Sequence, residues 1–185
     1  MYTMIAEGGF SSVRKVGGFT LIEVLVTLVI VSVGLLGLIG LMLRGLQTST
    51  DSVLRSIAIE QAYDMADRMR TNMAGVQAGN YDAVSGTTSC STLNAAASSG
   101  TATVGAPSSA PTCSSFCASS SCSVANAMSY DACSWHAANY NVLPLGAGAV
   151  CKSSVAGANW FTIFVSWDET KSGATNRTFM LRFEP

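Results

Sequence analysis

Apolar residues are unevenly distributed along the chain, and their longest unbroken run lies near the N-terminus. Residues 24–43 carry no charged side chain, and their only hydroxyl groups belong to Thr27 and Ser32. At ~1.5 Å per residue, a helix of this length matches the ~30 Å hydrocarbon core of a bilayer. Arg14 and Lys15 precede the run, which places the first residues in the cytoplasm by the positive-inside tendency. The pattern predicts a membrane-spanning helix with the remainder of the chain outside.

A helical period continues beyond the apolar run. Apolar positions recur there at spacings of three and four, at Leu54, Ala58, Ala62, Met65, Met69 and Met73. Two acid-before-base pairs at i,i+4 spacing also favour a helix, namely Asp51/Arg55 and Asp64/Arg68. We therefore predict one helix from about Phe19 to about Met73, whose second half packs by its apolar stripe against a globular head.

The C-terminal residues alternate with a period of two, which predicts strands. One face of the first strand would carry Phe161, Ile163, Val165 and Trp167, and the other Thr162, Phe164, Ser166 and Asp168. The segment "TFMLRFEP" alternates in the same way, and the polar loop "DETKSGATNR" joins the two as a hairpin. A weaker strand over 148–153 completes a three-stranded meander. The predicted fold class is α+β, with a small antiparallel sheet covering the long helix.

Residues 83–130 form an uncharged stretch rich in Ser, Ala, Thr and Gly. It contains too little apolar surface to order itself alone. We predict an irregular surface region pinned by disulfides. A short helix from about Ala132 to Asn141 follows, with Asp131 as its N-cap and Pro144 beyond its end.

All six cysteines lie in the C-terminal part of the chain, at Cys90, Cys113, Cys117, Cys122, Cys133 and Cys151. An even number in an exported, loop-rich segment favours disulfides, with fifteen possible connectivities if all six pair. Zinc is the alternative, but the close trio lacks a Cys-x2-Cys pair and the chain has one histidine. We predict disulfides and no metal.

The sequence offers little catalytic chemistry. His136 is the only histidine, and no nucleophile elbow, phosphate-binding loop or metal motif accompanies it. The formal net charge of −1 gives no reason to expect a nucleic-acid partner. We predict a protein that is not an enzyme and has no cofactor.

Glu23 is the anomalous residue of the apolar segment. A carboxylate at the head of a membrane helix is costly and usually has a partner, yet no Lys or Arg lies within two helical turns on its C-terminal side. Arg14 and Lys15 are separated from it by a Gly-Gly pair that disfavours a continuous helix. An amino group created by a cut just before Phe19 would supply a positive partner from another molecule.

The segment "KVGGFTLIEVLVTLVIV" resembles the class III signal of type IV pilins and pseudopilins. The resemblance implies that prepilin peptidase cuts between Gly18 and Phe19, that Phe19 becomes N-methylated, and that Glu23 is the carboxylate used in assembly. An ordinary secretory signal is disfavoured, because the apolar run is too long and lacks a small-residue cleavage site.

A second Gly-Phe pair, Gly9-Phe10, is a decoy. A cut there would place Arg14 fifth in the trimmed chain, where the family has a carboxylate, and no apolar run follows directly. We therefore assign the cut to Gly18.

Two later segments are similar to the PilV minor pilins. The first comprises Asp67, Arg68, Met69, Arg70 and Asn72, and the second Trp135, Leu143, Pro144 and Gly146. The chain departs from the second pattern at Leu145, where family members commonly have glycine.

The resemblance implies a complete organisation for the chain. It comprises a cleaved leader (1–18), a membrane and filament-core helix (19–44), an amphipathic continuation (45–74) and a periplasmic head (75–185), the head containing the cysteine-rich region 83–130 and a sheet over 148–184. The precursor would be a single-pass inner-membrane protein, and the assembled subunit would lie on the cell surface.

The implied function is that of a minor pilin that supports pilus assembly, adhesion and twitching motility. Its implied partners are prepilin peptidase, other minor and major pilins, and the inner-membrane assembly platform. Two alternatives stay open: a pseudopilin of a type II secretion system, and an uncleaved, signal-anchored periplasmic binding module with a disulfide-rich head.

Overall fold

A computed structural model describes residues 17–113, 122–170 and 176–185. The chain divides into two units between Leu46 and Gln47. The described part of the first unit contains the beginning of one long helix, and the second unit contains the other helices and the strands. Among the described residues, every buried side chain belongs to the second unit.

The predicted long helix is present as α1, Leu21–Thr71. Its buried side chains follow the predicted stripe up to Met69, with Ala66 in addition: Leu54, Ala58, Ala62, Met65, Ala66 and Met69. The amphipathic pattern is thus confirmed. The helix ends at Thr71 because Asn72 leaves the helical conformation and caps a second short helix, α2, Met73–Gln77. The Asn72 side chain accepts a hydrogen bond from the Gly75 N–H at 3.2 Å.

One of the two i,i+4 pairs that favoured a helix forms an ion pair. Arg68 Nε donates to Asp64 Oδ2 at 2.8 Å, whereas Asp51 and Arg55, both exposed, make no ion pair among the described residues. Both pairs lie in α1, as their spacing predicted, but the exposed Asp51 and Arg55 gain little from pairing over solvation of their charges. Arg68 is held in place by further partners outside α1, and Arg55 is not.

The sheet has four antiparallel strands in the order β1-β2-β3-β4. Their bounds are Ala83–Ser85, Ala147–Lys152, Phe161–Asp168 and Asn176–Phe183. The predicted C-terminal meander is present as β2, β3 and β4, with Ile163 between Val150 and Leu181. The short edge strand β1 was not predicted, and it makes a four-stranded sheet where three strands were expected.

Both faces of β3 are buried. The face with Phe161, Ile163, Val165 and Trp167 belongs to the same apolar core as the α1 stripe, as predicted. The opposite face was expected to be largely polar, yet Phe164 there lies in a second core with Leu93 and Val104.

The second core corrects the prediction that residues 83–130 are irregular. The described part of this region contains β1, a helix α3 over Cys90–Ala97, and the start of another helix. Ser89 caps α3 by accepting the Thr92 N–H. The few apolar side chains of the region suffice because they are concentrated against one strand, where Ser166 Oγ also accepts the Val104 N–H at 2.9 Å.

The helix predicted over Ala132–Asn141 is longer, and α4 spans Val124–Val142. Its N-cap is Ser123, whose side chain accepts the Asn126 N–H, so the assignment of Asp131 as N-cap is wrong. Asp131 lies within α4, where other partners engage its carboxylate. The predicted end before Pro144 is confirmed.

The α4–β2 connection brings helix and sheet close together. A Cβ atom added at Gly146 would overlap the Asn139 carbonyl, and one added at Gly148 would overlap the Trp135 ring. Leu145 has a φ of 51°, in the left-handed region that favours glycine. The departure from the family pattern at Leu145 therefore places a strained residue in this turn.

Candidate processing and assembly site

The residues around the predicted cut lie in an open segment that precedes α1. Gly17 and Gly18 adopt no regular structure, and a Cβ atom added at either would meet no atom within 4 Å. The Phe19 side chain is 82% exposed. Among the described residues, nothing therefore covers the Gly18–Phe19 bond against a peptidase.

Glu23 lies in the first turn of α1. Its backbone N–H donates to the Thr20 carbonyl at 3.1 Å, so Thr20 starts the helix. A carboxylate in the first turn interacts favourably with the helix dipole. That interaction does not neutralise the charge, and within the described part of the chain no side chain pairs with the Glu23 carboxylate.

The described part of the first unit presents a continuous exposed apolar surface. Every large apolar side chain there from Phe19 to Leu46 is at least 45% exposed. A contiguous apolar surface of this extent marks a membrane-embedded or protein-binding segment. By length and composition, α1 is also the one helix in the described residues able to cross a membrane. Glu23 stands at one end of this surface as its single acid.

The late α1 motif, which resembles PilV, lies in a polar cluster that joins α1 to α4. Arg68 Nη1 lies 2.9 Å from Ser134 Oγ and 3.4 Å from Asp131 Oδ1. The Nε atom of Arg68 donates a hydrogen bond to the Asp64 carboxylate. The charge of Arg68 is thus shared between two carboxylates and a hydroxyl on two helices. This cluster fixes the angle between the helices, and it accounts for Arg68 within the motif.

Tyr81 connects Asn72 to the same cluster. Its hydroxyl donates to Asp131 Oδ2 at 3.1 Å and accepts from Asn72 Nδ2 at 3.1 Å. Burial raises the pKa of Tyr81 to about 12; the Asp131 charge acts in the same direction and the Asn72 bond opposes it. The sequence analysis missed Tyr81, since a lone tyrosine in a loop carries no periodic signal. Asp67 and Arg70 pair with each other on the exposed side of α1.

The second motif that resembles PilV forms the α4–β2 contact. Trp135 is fully buried, and its Nε1 donates to the Gln61 carbonyl of α1 at 2.7 Å. Leu143 is buried in the same core, and Pro144 accepts the Asp168 N–H through its carbonyl at 2.9 Å. These residues position the head's layers, and none of them faces a catalytic constellation.

The cysteines within the described residues are disulfide-bonded, as predicted. Cys90 is bonded to Cys151, which ties α3 to β2, and Cys113 is bonded to Cys133 on α4. Cys122 is also disulfide-bonded, whereas Cys117 lies outside the described residues. Because thiolates are needed to bind zinc, the disulfide-bonded Cys113 and Cys122 are not available as zinc ligands. In the described ranges, no group of three His, Cys, Asp or Glu side chains could hold a metal.

His136 lies beside a small apolar cavity of about 130 Å3, lined among others by Val104, Pro107 and Ala147. Burial lowers the pKa of His136 below its usual value, and the described residues lining this cavity include no acid. The described residues that line the cavity offer no second base beside the imidazole. This arrangement supports a structural role for the ring.

We expect this histidine to make the head sensitive to acid. The unfolded chain takes up a proton near pH 6.5, and the folded chain only at lower pH, so the unfolded state binds more protons between these values. The free energy of unfolding should therefore fall as the pH drops below about 6.5. Urea unfolding at pH 7.5 and 5.5 measures the fall, and His136→Gln should reduce it. Equal falls in both proteins would contradict this account.

The family model of the prokaryotic N-terminal methylation motif matches residues 13–39. The match includes the Gly18–Phe19 bond, Glu23 and the start of the apolar surface, and it ends before the residues on which the resemblance to PilV rests. Comparison with curated proteins and with solved structures gives no match.

The matched motif and the α+β fold support a protein similar to type IV pilins or pseudopilins, and the long apolar helix fits a membrane anchor. The motif implies processing by a prepilin peptidase and contact with a pilus-type assembly machinery, and it points to a structural protein rather than an enzyme.

Proposed function

We propose that the chain is a minor pilin of a type IV pilus, made as an inner-membrane precursor and assembled into the filament or its tip complex. One observation carries the proposal. Glu23, whose carboxylate pairs with no side chain of the described residues, stands at the head of an exposed apolar helix surface, four residues after the exposed Phe19. A filament interior would cover that surface and supply the missing positive charge.

Processing would create the charge that Glu23 lacks. A cut between Gly18 and Phe19 removes residues 1–18 and leaves an α-amino group on Phe19, which stays cationic after methylation. In an apolar interior, a charge is tolerated when it is paired, and separating such a pair is costly. Pairing between Glu23 of one subunit and the Phe19 amino group of its neighbour would therefore fix their axial register.

The second unit would act as the periplasmic head. Its disulfides suit an oxidising compartment, and its exposed surface would contact other minor and major pilins. We propose a structural role in assembly, adhesion and twitching motility, with no cofactor. The resemblance to PilV at the Arg68 cluster and at the Trp135 turn supports this assignment among minor pilins.

The test is peptide mass spectrometry on sheared surface filaments and on membranes of the native cell. We expect a peptide that begins at N-methylated Phe19 in the filament fraction. The same peptide in membranes alone would favour a pseudopilin of a type II secretion system. An intact leader in every fraction would overturn the proposal and favour a signal-anchored binding module.

Replacing Gly18 with valine should leave the leader attached. The peptidase must accommodate the residue before the bond it cuts, and a β-branched side chain restricts the backbone there. Mass spectrometry of the membrane-bound chain should show the precursor mass. The matched control is Gly9→Val at the decoy pair, which should be trimmed normally. Normal trimming of Gly18→Val would show that the cut lies elsewhere.

A further inference from the structure

The sheet face opposite α1 is covered by a thin layer of chain. This outer layer comprises residues 86–105, which include α3 and the segment that follows it. Its buried apolar side chains are Leu93, Ala102 and Val104. They form the second core together with Phe164 of β3 and small side chains of β2. This core contains fewer large side chains than the core between α1, α4 and the sheet, so it stabilises its elements less.

The non-covalent contacts of the outer layer are weak. α3 has eight residues, and isolated helices of that length are unstable in water. The layer contains no charged residue, so it forms no ion pair. Asn94 Nδ2 donates to the Lys152 carbonyl at 2.8 Å, and the Val104 N–H donates to Ser166 Oγ at 2.9 Å. Each such bond adds little net stability, because the same groups bond to water when the layer is open.

One covalent bond ties the outer layer to the sheet. Cys90, the first residue of α3, is bonded to Cys151 of β2. The two cysteines are 61 residues apart in the sequence, and a cross-link that closes a long loop strongly restricts the open chain. Cys151 is fully buried in the second core, whereas Cys90 is only partly buried. An external thiol therefore reaches this bond at the Cys90 sulfur.

We propose that the Cys90–Cys151 bond is a redox switch for the outer layer. When the bond is formed, the layer covers Phe164. When the bond is reduced, the layer separates from the sheet while the core around Trp135 stays folded. The separation is local, because no buried residue of that core belongs to the outer layer. The inference concerns the head alone, and it does not depend on the proposed function.

Closing the switch is an oxidation. The thiols of Cys90 and Cys151 form a disulfide, and their two electrons and two protons convert a disulfide of the oxidant into two thiols. A dithiol reductant reverses the step and becomes a disulfide itself. Such oxidants act outside the cytoplasm, so the outer layer closes only after the head has reached an oxidising compartment. A head that is still reduced exposes Phe164 to solvent.

Hydrogen exchange of the full chain in detergent micelles tests the switch. The double variant Cys90→Ser with Cys151→Ala removes the bond, leaves neither thiol, and places no polar group in the second core. We expect the protection of the α3 amides to fall at least about a hundredfold. The protection of the α4 amides around Trp135 should change less than about threefold.

The matched control removes the disulfide between Cys113 and Cys133. This bond joins α4 to a residue beyond the outer layer. In the variant Cys113→Ser with Cys133→Ala, the protection of the α3 amides should stay within about threefold of the wild type. An equal loss of α3 protection in both double variants would show a general weakening of the head and would overturn the inference.

Limited proteolysis gives a second readout. The outer layer contains several alanines but no lysine or arginine, so elastase can cut it and trypsin cannot. Elastase should cut within residues 94–105 at least about tenfold faster in the Cys90→Ser, Cys151→Ala variant than in the wild type. The rate of tryptic cutting elsewhere in the head should be the same in both proteins.

The outcomes are distinct. Loss of protection confined to the outer layer supports the switch. Unchanged protection of α3 would show that the second core holds the layer without the bond, and an equal loss in α4 would show that the head unfolds as one unit. Either of these results overturns the inference. Neither bears on whether N-methylated Phe19 occurs in filaments, so the proposed function is tested separately.

Discussion

Replacing Glu23 with alanine should leave the leader cut and Phe19 methylated, yet lower the filament-bound fraction of the chain at least about tenfold. The two effects separate because the Gly18–Phe19 bond lies in an open segment, while the Glu23 carboxylate acts only when its surroundings become apolar. Without the carboxylate, the amino group of the neighbouring subunit would enter the filament interior unpaired. The measurement compares the amount of trimmed chain in sheared filaments with that in membranes.

Two further variants show whether assembly depends on the charge of Glu23 or on the size of its side chain. Glu23→Gln keeps the size and polarity of the side chain, and we expect it to assemble as poorly as alanine because the charge is lost. Glu60→Gln removes an exposed acid further along the same helix and should assemble normally. Normal assembly of Glu23→Gln would contradict the charge-pair account, and impaired trimming would show that Glu23 also serves the peptidase.

The sequence predicted those parts of the molecule that repeat with a fixed period. The α1 stripe from Leu54 to Met69 and the alternation along β3 each extend over enough residues to define a face. The architecture follows, because the apolar stripe of α1 and one apolar face of the sheet are buried against each other. The membrane segment was equally predictable, since twenty residues without a charge have few alternatives.

The cysteine-rich region shows where this reasoning fails. Composition predicted an irregular stretch, yet Leu93 and Val104 are buried against Phe164. The second core depends on a few side chains that the chain topology and the Cys90–Cys151 bond bring together. These residues are distant in sequence, so no local sequence pattern predicts their contacts. Similarly, Asp131 had the local features of an N-cap, but its carboxylate is engaged by Arg68 and Tyr81 from distant parts of the chain.

The sequence identified the residues of the candidate site, but it did not predict which charged side chains pair with each other. Glu23 was identified because a carboxylate at an apolar end is anomalous, an argument that needs no coordinates. The Asp51–Arg55 spacing was also recognised, and it correctly indicated a helix. The structure leaves both exposed residues without an ion pair to any described residue, since spacing alone does not decide between pairing and solvation of surface charges.

Gly148→Ala should destabilise the head strongly. An added Cβ atom would overlap two carbon atoms of the Trp135 ring and lie 2.9 Å from Asn139 Nδ2. The ring cannot move aside, because it is fully buried and its N–H is bonded to the Gln61 carbonyl at 2.7 Å. Overpacking of a rigid core costs about 1–3 kcal/mol, and we expect the upper end of that range.

The loss should appear as a fall in the melting temperature of about 10 °C, measured by circular dichroism on the full chain in detergent micelles. The matched control is Gly86→Ala, since an added Cβ atom there meets nothing within 4 Å. This control should change the free energy of unfolding by less than about 0.5 kcal/mol.

A double variant shows where the destabilisation arises. Trp135→Phe removes part of the ring that the added methyl group would strike, so Gly148→Ala should cost less in that background than in the wild type. An equal cost in both backgrounds would show that the destabilisation arises in the β2 backbone and not at the α4–β2 contact.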